Sequence, residues 1–111
     1  MKKLVVLWKT DHMIDINEMV LPYLKGSKKN GWWEDIEVII WGASQKVIAQ
    51  SEDLQNQIRQ MINLGIKISA CKKCADDLCV ADQLVNIGID VLYTGVLLTN
   101  HLQSDATVIT L

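Results

Sequence analysis

The sequence lacks the features that mark several large classes of protein. It contains no apolar run long enough to span a bilayer. Its 11 basic and 13 acidic residues leave a net charge of −2 and form no basic stripe, so we expect neither a membrane nor a nucleic acid as partner. The apolar run that begins at Leu4 is too short for a signal peptide, because Lys9 and Asp11 follow at once. We therefore expect a cytoplasmic protein.

Potential metal ligands and phosphate-binding loops are also scarce. Three cysteines are an odd number, which favours thiol chemistry or burial over a disulfide framework. Zinc needs four converging ligands, and the spacing of Cys71, Cys74 and Cys79 offers no clear fourth one, because His12 and His101 are distant in sequence. No G-x-G-x-x-G or Walker loop is present. We expect no metal and no cofactor, and we predict a structural role for Cys79 and none for His101.

What the sequence does contain is a regular alternation of apolar runs and helical periodicities. The predicted strands are residues 4–8, 36–41, 66–70, 89–93 and 106–111. The first predicted helix starts at Asp11 or Asp15 and ends at Gly26, and the others are residues 43–50, 51–64, 75–87 and 96–102. This order predicts an α/β fold: a three-layer α/β/α sandwich with a five-stranded parallel sheet, Rossmann-like, in a single domain of residues 1–111.

Two segments in the first half of the chain carry further predictions. Pro22 lies inside the apolar stripe of the first helix, so we expect a kink or an early break there, with Gly26 as the C-terminal cap. Trp32 and Trp33 are adjacent, and two consecutive indoles are difficult to bury together in a small core. Either both pack in the core, or one packs internally while the other covers a neighbouring subunit.

The carboxyl ends of parallel strands meet at one edge of the sheet, where α/β proteins bind their ligands. We expect that edge to hold Cys71, which follows the third strand, together with residues that follow the other strands: His12, Trp41, Ser44 and Thr94. These four residues form a possible pocket. His12 is a candidate for proton transfer near a thiolate, and a solvated loop histidine is the alternative.

Cys71 stands where a strand gives way to a helix. Unpaired backbone N–H groups at a helix start and the charges of Lys72 and Lys73 favour the thiolate, and would lower the thiol pKa from the free value of roughly 8.5. The alternative is a buried core cysteine, which is common for this residue type. Cys74 is a candidate to form a disulfide with Cys71, to resolve a species carried on it, or to pack in the first helical turn.

The Cys71-x-x-Cys74 pair differs from a thioredoxin dithiol in two respects. It follows the third predicted strand of the chain. The only proline, Pro22, lies in a predicted helix, so no residue can supply the cis-proline that faces a thioredoxin dithiol. A thioredoxin-like arrangement is therefore not expected.

The chain combines several segments whose joint occurrence is fairly specific: Gly31-Trp32-Trp33, Ile39-Ile40-Trp41-Gly42, residues 65–76 around Ala70-Cys71-Lys72-Lys73-Cys74-Ala75, residues 84–89, Gly95 and residues 108–111. In these segments, which extend over nearly the whole chain, it resembles the DsrE/DsrF-like family, which includes sulfur-relay proteins of the Tus type. Two positions depart from the family pattern: Ala43 stands where proline is expected, and Cys79 where glycine is usual.

The resemblance implies the fold given above and a homo-oligomer, often a dimer, trimer or hexamer. It also implies that the cysteine at the position of Cys71 accepts sulfane sulfur as a persulfide and passes it on. Sulfur donor and acceptor proteins would then be partners. Cys74 matches a second cysteine that is common in the small single-domain relatives.

Three functions are compatible with the sequence. The first is a sulfur carrier or sulfurtransferase-type protein, with Cys71 and Cys74 as catalytic residues and Lys72 and Lys73 as anion-stabilising residues. The second is a non-enzymatic oligomeric module that binds a small ligand at the strand edge, with the tryptophan pair building the assembly. The third is a redox protein in which the two cysteines exchange a disulfide.

Overall fold

The computed structural model describes residues 2–111, whose strands form one sheet. The strands are β1 (Lys3–Trp8), β2 (Asp35–Ile40), β3 (Lys67–Cys71), β4 (Asp90–Leu92) and β5 (Thr107–Thr110). All pairings are parallel, and the order across the sheet is β4-β3-β2-β1-β5. Each strand lies within one residue, at either end, of a strand predicted from the sequence. The predicted five-stranded parallel α/β fold is thereby confirmed.

The helices cover both faces of this sheet. They are α1 (Met13–Asp15), α2 (Leu21–Lys29), α3 (Ser44–Gln50), α4 (Glu52–Asn63), α5 (Lys72–Asp77), α6 (Ala81–Ile87) and α7 (Thr94–Leu102). A π-helical segment, Ile16–Val20, joins α1 to α2. Among residues 2–111, no helix combines the length and the apolar character that crossing a membrane requires.

The two faces of the sheet are covered unequally. The chain steps from β1 to β4 in one direction and then returns to place β5 on the far side of β1. Because such crossovers are right-handed, α7 lies on the face opposite the earlier helices, and it packs there on β3 and β5. Ile68 and Ala70 of β3 belong to the main core on the first face. Side chains alternate along a strand, so Cys71 faces α7.

His101, to which the sequence assigns no role, fastens α7 to the sheet. Its Nε2 lies 3.1 Å from Oε2 of Glu37, a buried carboxylate of β2. Lys3 of β1 donates from Nζ to the other oxygen of Glu37 at 3.1 Å. A buried carboxylate is costly unless it is paired, so this cluster holds the far end of α7 in place. The first residue of the same helix is Thr94.

Pro22 does not break the first helix. The helical segment continues through it to Lys29, and the irregularity is the π-helical turn directly before Leu21 and Pro22. Proline is tolerated near the start of a helix because its missing N–H has no intrahelical partner there. Of the two predicted outcomes, a kink or an early break, the early break was therefore wrong.

The sequence predicted Gly26 as the C-terminal cap of this helix, and that prediction was wrong. The backbone N–H of Asn30 donates to the carbonyl of Gly26 at 2.9 Å, and Gly31, with φ of +65°, is the residue in the left-handed conformation. Gly26 lies instead against Trp32. A Cβ built at position 26 would be 3.7 Å from the nearest atom of the Trp32 ring. A Cβ at position 26 would make an ordinary van der Waals contact with that ring, so neither chain reversal nor close packing explains the glycine.

The single helix predicted for residues 75–87 is two helices, α5 and α6. The backbone N–H of Val80 donates to the carbonyl of Ala75, and that of Cys79 donates to the carbonyl of Asp76, which is the Schellman ending of a helix. Cys79 takes the left-handed position, with φ of +58°, and is exposed. Glycine usually marks this position, and a cysteine there concealed the helix end in the sequence.

The two adjacent tryptophans have different environments. Trp33 packs against the main core and donates from Nε1 to the hydroxyl of Tyr23 at 3.2 Å. Trp32 remains 57% exposed, with its ring 6.1 Å from that of Tyr23. Burial of both indoles in the core is therefore contradicted, and a subunit contact through Trp32 stays a prediction.

Candidate functional site

Buried side chains of α3 connect the carboxyl ends of the strands through hydrogen bonds. Ser44 donates from Oγ to the carbonyl of Trp8 at 2.7 Å, and this hydrogen bond joins α3, which follows β2, to the end of β1. Gln45 donates from Nε2 to the carbonyls of Ile40 and Cys71, each at 3.1 Å, and thereby joins the ends of β2 and β3. No role for Gln45 was predicted from the sequence. The feature of the sequence that could have indicated this role is a polar residue in the first turn of a helix that follows a strand.

We expect Ser44→Ala to lower the free energy of unfolding by about 0.5–1.5 kcal/mol, because one buried hydrogen bond is lost while the Trp8 carbonyl keeps the Trp41 N–H as a donor. Ser27→Ala is the matched control. Ser27 is equally buried, but its hydroxyl has no hydrogen-bond partner among residues 2–111, so its loss should leave stability unchanged or raise it. Urea denaturation of both variants measures the difference. Equal stability of the two variants would contradict this role of Ser44.

Cys71 is the N-cap residue of α5, and 5% of its surface is exposed. Burial by itself raises the pKa of its thiol. The backbone N–H of Cys74, the Thr94 hydroxyl, the Cys74 thiol and the backbone N–H of Lys73 all approach the sulfur and lower that pKa. These donors outweigh the burial, so the pKa of Cys71 lies below that of an ordinary cysteine. The sulfur is poised as a thiolate.

Thr94 is the residue from another part of the chain that completes this environment. It opens α7, directly after β4, and is 1% exposed. Its hydroxyl has no well-aligned hydrogen-bond partner among residues 2–111, although it lies near enough to the Cys71 sulfur to lower the thiol pKa. A buried hydroxyl without a partner is unfavourable. A negatively charged sulfur would satisfy it.

Cys74 has the opposite character. Burial raises the pKa of its thiol, and so do its hydrogen bond to the Cys71 sulfur and the charge on that sulfur. The backbone N–H of Gly42 and the ammonium of Lys73 lower the pKa but do not offset the rise. Gly42 has φ of +75°, a conformation that glycine adopts without strain. Of the two thiols, Cys71 is therefore the one that loses its proton more readily.

The ammonium groups of Lys72 and Lys73 are engaged elsewhere. Lys72 Nζ lies 2.8 Å from Asp76 Oδ2, and Lys73 Nζ lies 2.7 Å from Asp77 Oδ2. The backbone amide of Lys73 lowers the pKa of Cys71 directly, and the Lys73 ammonium adds only a weaker charge interaction with that sulfur. Both pairs have the i, i+4 spacing typical of a helix. The sequence prediction missed them because it placed the helix start at residue 75.

The four residues predicted to form a pocket do not lie together at one site. The Thr94 hydroxyl lies near the Cys71 sulfur. Ser44 is buried beneath the edge, where its hydroxyl serves the strand ends. Trp41 is half-buried, and its backbone N–H donates to the carbonyl of Trp8. His12 is exposed at the start of α1 and does not line the cleft described next.

A cleft of about 430 Å³ opens beside the cysteine pair at this edge. It lies between the start of α3, the end of α5 and the segment after β1. The residues that line it are Asp11, Gly42, Ala43, Lys46, Val47, Cys74, Asp77 and Leu78. Cys74 lines the cleft and Cys71 does not, so Cys74 is the sulfur that the cleft exposes.

Comparisons with known proteins identify relatives of the whole chain. No protein-family model matches the sequence, and no curated protein is significantly similar to it. Among solved structures, BT1422 of Bacteroides thetaiotaomicron, a conserved protein of unknown function, is 38% identical with a TM-score of 0.95. That similarity covers 98% of this chain and 94% of BT1422. Sequence and structure therefore agree on a common family.

Two more distant structures share the fold. MTH1491 of Methanobacterium thermoautotrophicum, also of unknown function, is 16% identical with a TM-score of 0.73, over 99% of this chain and 98% of its own. The ychN protein of E. coli is 12% identical with a TM-score of 0.70, over 100% of both chains. At these identities the likeness extends to the architecture alone.

Proposed function

This chain belongs to the same protein family as BT1422 of Bacteroides thetaiotaomicron, and we propose that it is a sulfur carrier that holds sulfur as a persulfide on Cys71. One observation carries the proposal: two neighbouring thiols have pKa values shifted in opposite directions, lowered at Cys71 and raised at Cys74. The thiolate is the reactive form of cysteine. The pair therefore suits capture of sulfur by Cys71 while Cys74 remains a thiol.

In the loading step, the Cys71 thiolate attacks the outer sulfur of a donor hydropersulfide, R–S–SH. A bond forms between the Cys71 sulfur and the outer sulfur, and the S–S bond of the donor breaks. The products are Cys71–S–SH and R–S⁻, which takes its proton from solvent. The amides of Lys73 and Cys74 and the hydroxyl of Thr94 stabilise the attacking sulfur.

In the discharge step, an acceptor thiolate attacks the outer sulfur of the Cys71 persulfide. The new persulfide forms on the acceptor, and Cys71 returns as the thiolate that its surroundings favour. Cys74 supplies a second route. Its thiolate can attack the inner sulfur, form the Cys71–Cys74 disulfide and release HS⁻, after which two external thiols reduce the disulfide.

The resemblance to the DsrE/DsrF-like family supports the same proposal, since the fold agrees with what that resemblance implies. On its basis we also propose that the protein is a homo-oligomer, that it works in the cytoplasm, and that a partner protein receives or supplies the sulfur. Exposed Trp32 is the residue that we propose for a subunit contact.

The pH dependence of alkylation tests the observation that carries this proposal. Because the pKa of Cys71 is lowered, its labelling should reach half its maximum at a pH below that of free cysteine, whereas Cys74 should do so at a higher pH. Peptide mapping by mass spectrometry after labelling with a small alkylating reagent gives both midpoints. The midpoint is compared, and not the rate, because burial slows the reagent at Cys71.

A Cys71 midpoint at or above that of free cysteine would contradict the carrier proposal. It would favour the binding module, which needs no ionised sulfur.

Disulfide exchange between the two cysteines is the second candidate. The observation in its favour is that the Cys74 thiol lies close enough to the Cys71 sulfur for each to shift the pKa of the other. Exchange requires both thiols, whereas sulfur loading requires Cys71 alone. The requirement for Cys74 therefore separates the two functions.

A further inference from the structure

We propose that the cleft beside Cys74 binds the donor, and that the donor is a low-molecular-weight hydropersulfide of the amino-acid type, which carries both an ammonium and a carboxylate. This inference rests on the proposed function and names its substrate class. It is carried by the size of the cleft, by the charges that line it and by the position of the two sulfurs.

The volume of the cleft suits a small molecule. At about 430 Å³ it lies within the range of roughly 300–1,000 Å³ that is typical of ligand pockets. Gly42 and Ala43, which have little or no side chain, form part of its wall, and no atom lies within 4 Å of where a Cβ of Gly42 would stand. Val47 and Leu78 provide an apolar surface for the carbon atoms of a ligand.

The charges in the cleft specify the kind of small molecule. Asp77 is occupied by Lys73 at 2.7 Å. Neither Lys46 nor Asp11 has an ion-pair partner within residues 2–111. One free ammonium and one free carboxylate fit a ligand that carries the opposite pair. An amino acid has these two groups on a single carbon atom.

The position of the sulfurs explains why the donor would bind here. Cys71 is 5% exposed and does not itself line the cleft, so a donor bound there approaches its sulfur past Cys74. Cys74 lines the cleft and also contacts the Cys71 sulfur. A hydropersulfide that binds with its polar groups at Lys46 and Asp11 therefore has Cys74 on the wall beside it, with the Cys71 sulfur next to that of Cys74.

The loading reaction is the one given above, with R as the amino-acid residue of the donor. The Cys71 thiolate takes the outer sulfur, the donor S–S bond breaks, and the free amino-acid thiol leaves the cleft after protonation by solvent. Because the site recognises the leaving thiol, and not the transferred sulfur, it should also bind an unreactive analogue.

The test is therefore a binding measurement that needs no chemistry. S-methylcysteine is titrated into the protein, and the backbone amide signals are followed by NMR. We expect shifts at Gly42, Ala43, Val47 and Leu78, and a dissociation constant that rises roughly fivefold in Lys46→Gln, as for loss of one exposed ion pair. Lys9→Gln is the matched control, since Lys9 is exposed after β1 but does not line the cleft.

Two results would overturn the inference: no shifts at the cleft residues at millimolar S-methylcysteine, or equal affinities in Lys46→Gln and Lys9→Gln. Neither result would contradict the proposed function, because that function is measured separately, as persulfide on Cys71 after treatment with inorganic polysulfide. Conversely, a Cys71 that takes no sulfur from polysulfide would end the carrier proposal, while the titration would still report whether the cleft binds an amino acid.

Discussion

Replacing Cys71 by serine is expected to abolish sulfur loading. After incubation with inorganic polysulfide, the wild-type peptide that contains Cys71 should gain the mass of one sulfur atom, and loading of the Cys71→Ser protein should fall by several orders of magnitude, to the background of the other two cysteines. The reason is that a serine hydroxyl does not ionise near neutral pH and cannot replace the thiolate as nucleophile. Mass spectrometry of the digested protein gives the site and the extent of loading.

The other two cysteines provide matched controls for this variant. Cys79→Ser changes an exposed residue outside the cleft and should load normally. Cys74→Ser should also load, because Cys71 keeps its amide donors and Thr94, but it should no longer release HS⁻ with formation of a disulfide. If Cys74→Ser lost loading together with Cys71→Ser, disulfide exchange would replace the carrier function. Full loading of Cys71→Ser would contradict both.

Removing the Thr94 hydroxyl is expected to have the second largest effect on Cys71. In Thr94→Val the thiolate loses a buried donor, so the pKa of Cys71 should rise and its alkylation at neutral pH should slow roughly tenfold. That estimate follows because a hydrogen bond to a charged group contributes about 1.5–3 kcal/mol, and about 1.4 kcal/mol is a factor of ten. The pH dependence of labelling at Cys71 is the measurement.

Two further variants distinguish this effect from a disturbance of α7. Thr94→Ser keeps the hydroxyl and should restore labelling to near the wild-type rate. Thr99→Val removes a second threonine hydroxyl from the same helix, one that donates to the carbonyl of Gly95 at 2.8 Å and is exposed, and should leave Cys71 unchanged. If Thr94→Ser behaved like Thr94→Val, or if Thr99→Val slowed labelling equally, a direct action of the Thr94 hydroxyl would be excluded.

The position of Cys71 was predictable because both signals that define it are local. An apolar run ends at Ala70, polar residues follow, and parallel topology places every such strand end at one edge. The same logic placed Thr94 near that edge. The sequence could not supply the partner of each group: the sulfur accepts from the backbone amide of Lys73, while the Lys73 ammonium pairs with Asp77.

The helix ends show a second limit of sequence reasoning. Gly88 closes α6 as predicted, because glycine marks the left-handed position there. The same geometry at Cys79 has no glycine to mark it, so α5 and α6 were predicted as one helix. Gly26 gave the opposite error, since it lies inside α2 and does not end that helix. A residue type indicates a backbone conformation only where conformation is the reason for its presence.

The sequence by itself determined the five strands, their parallel arrangement and the sulfur at the end of the third, because these depend on hydrophobic periodicity and on residues adjacent in the chain. Only the tertiary structure decided that Thr94 from the next crossover meets Cys71, that Gly42 meets Cys74, and that Lys46 and Asp11 share a cleft. These contacts join residues that are far apart in sequence. Their geometry is set by the handedness of the crossovers and by core packing, and neither leaves a mark on a single segment.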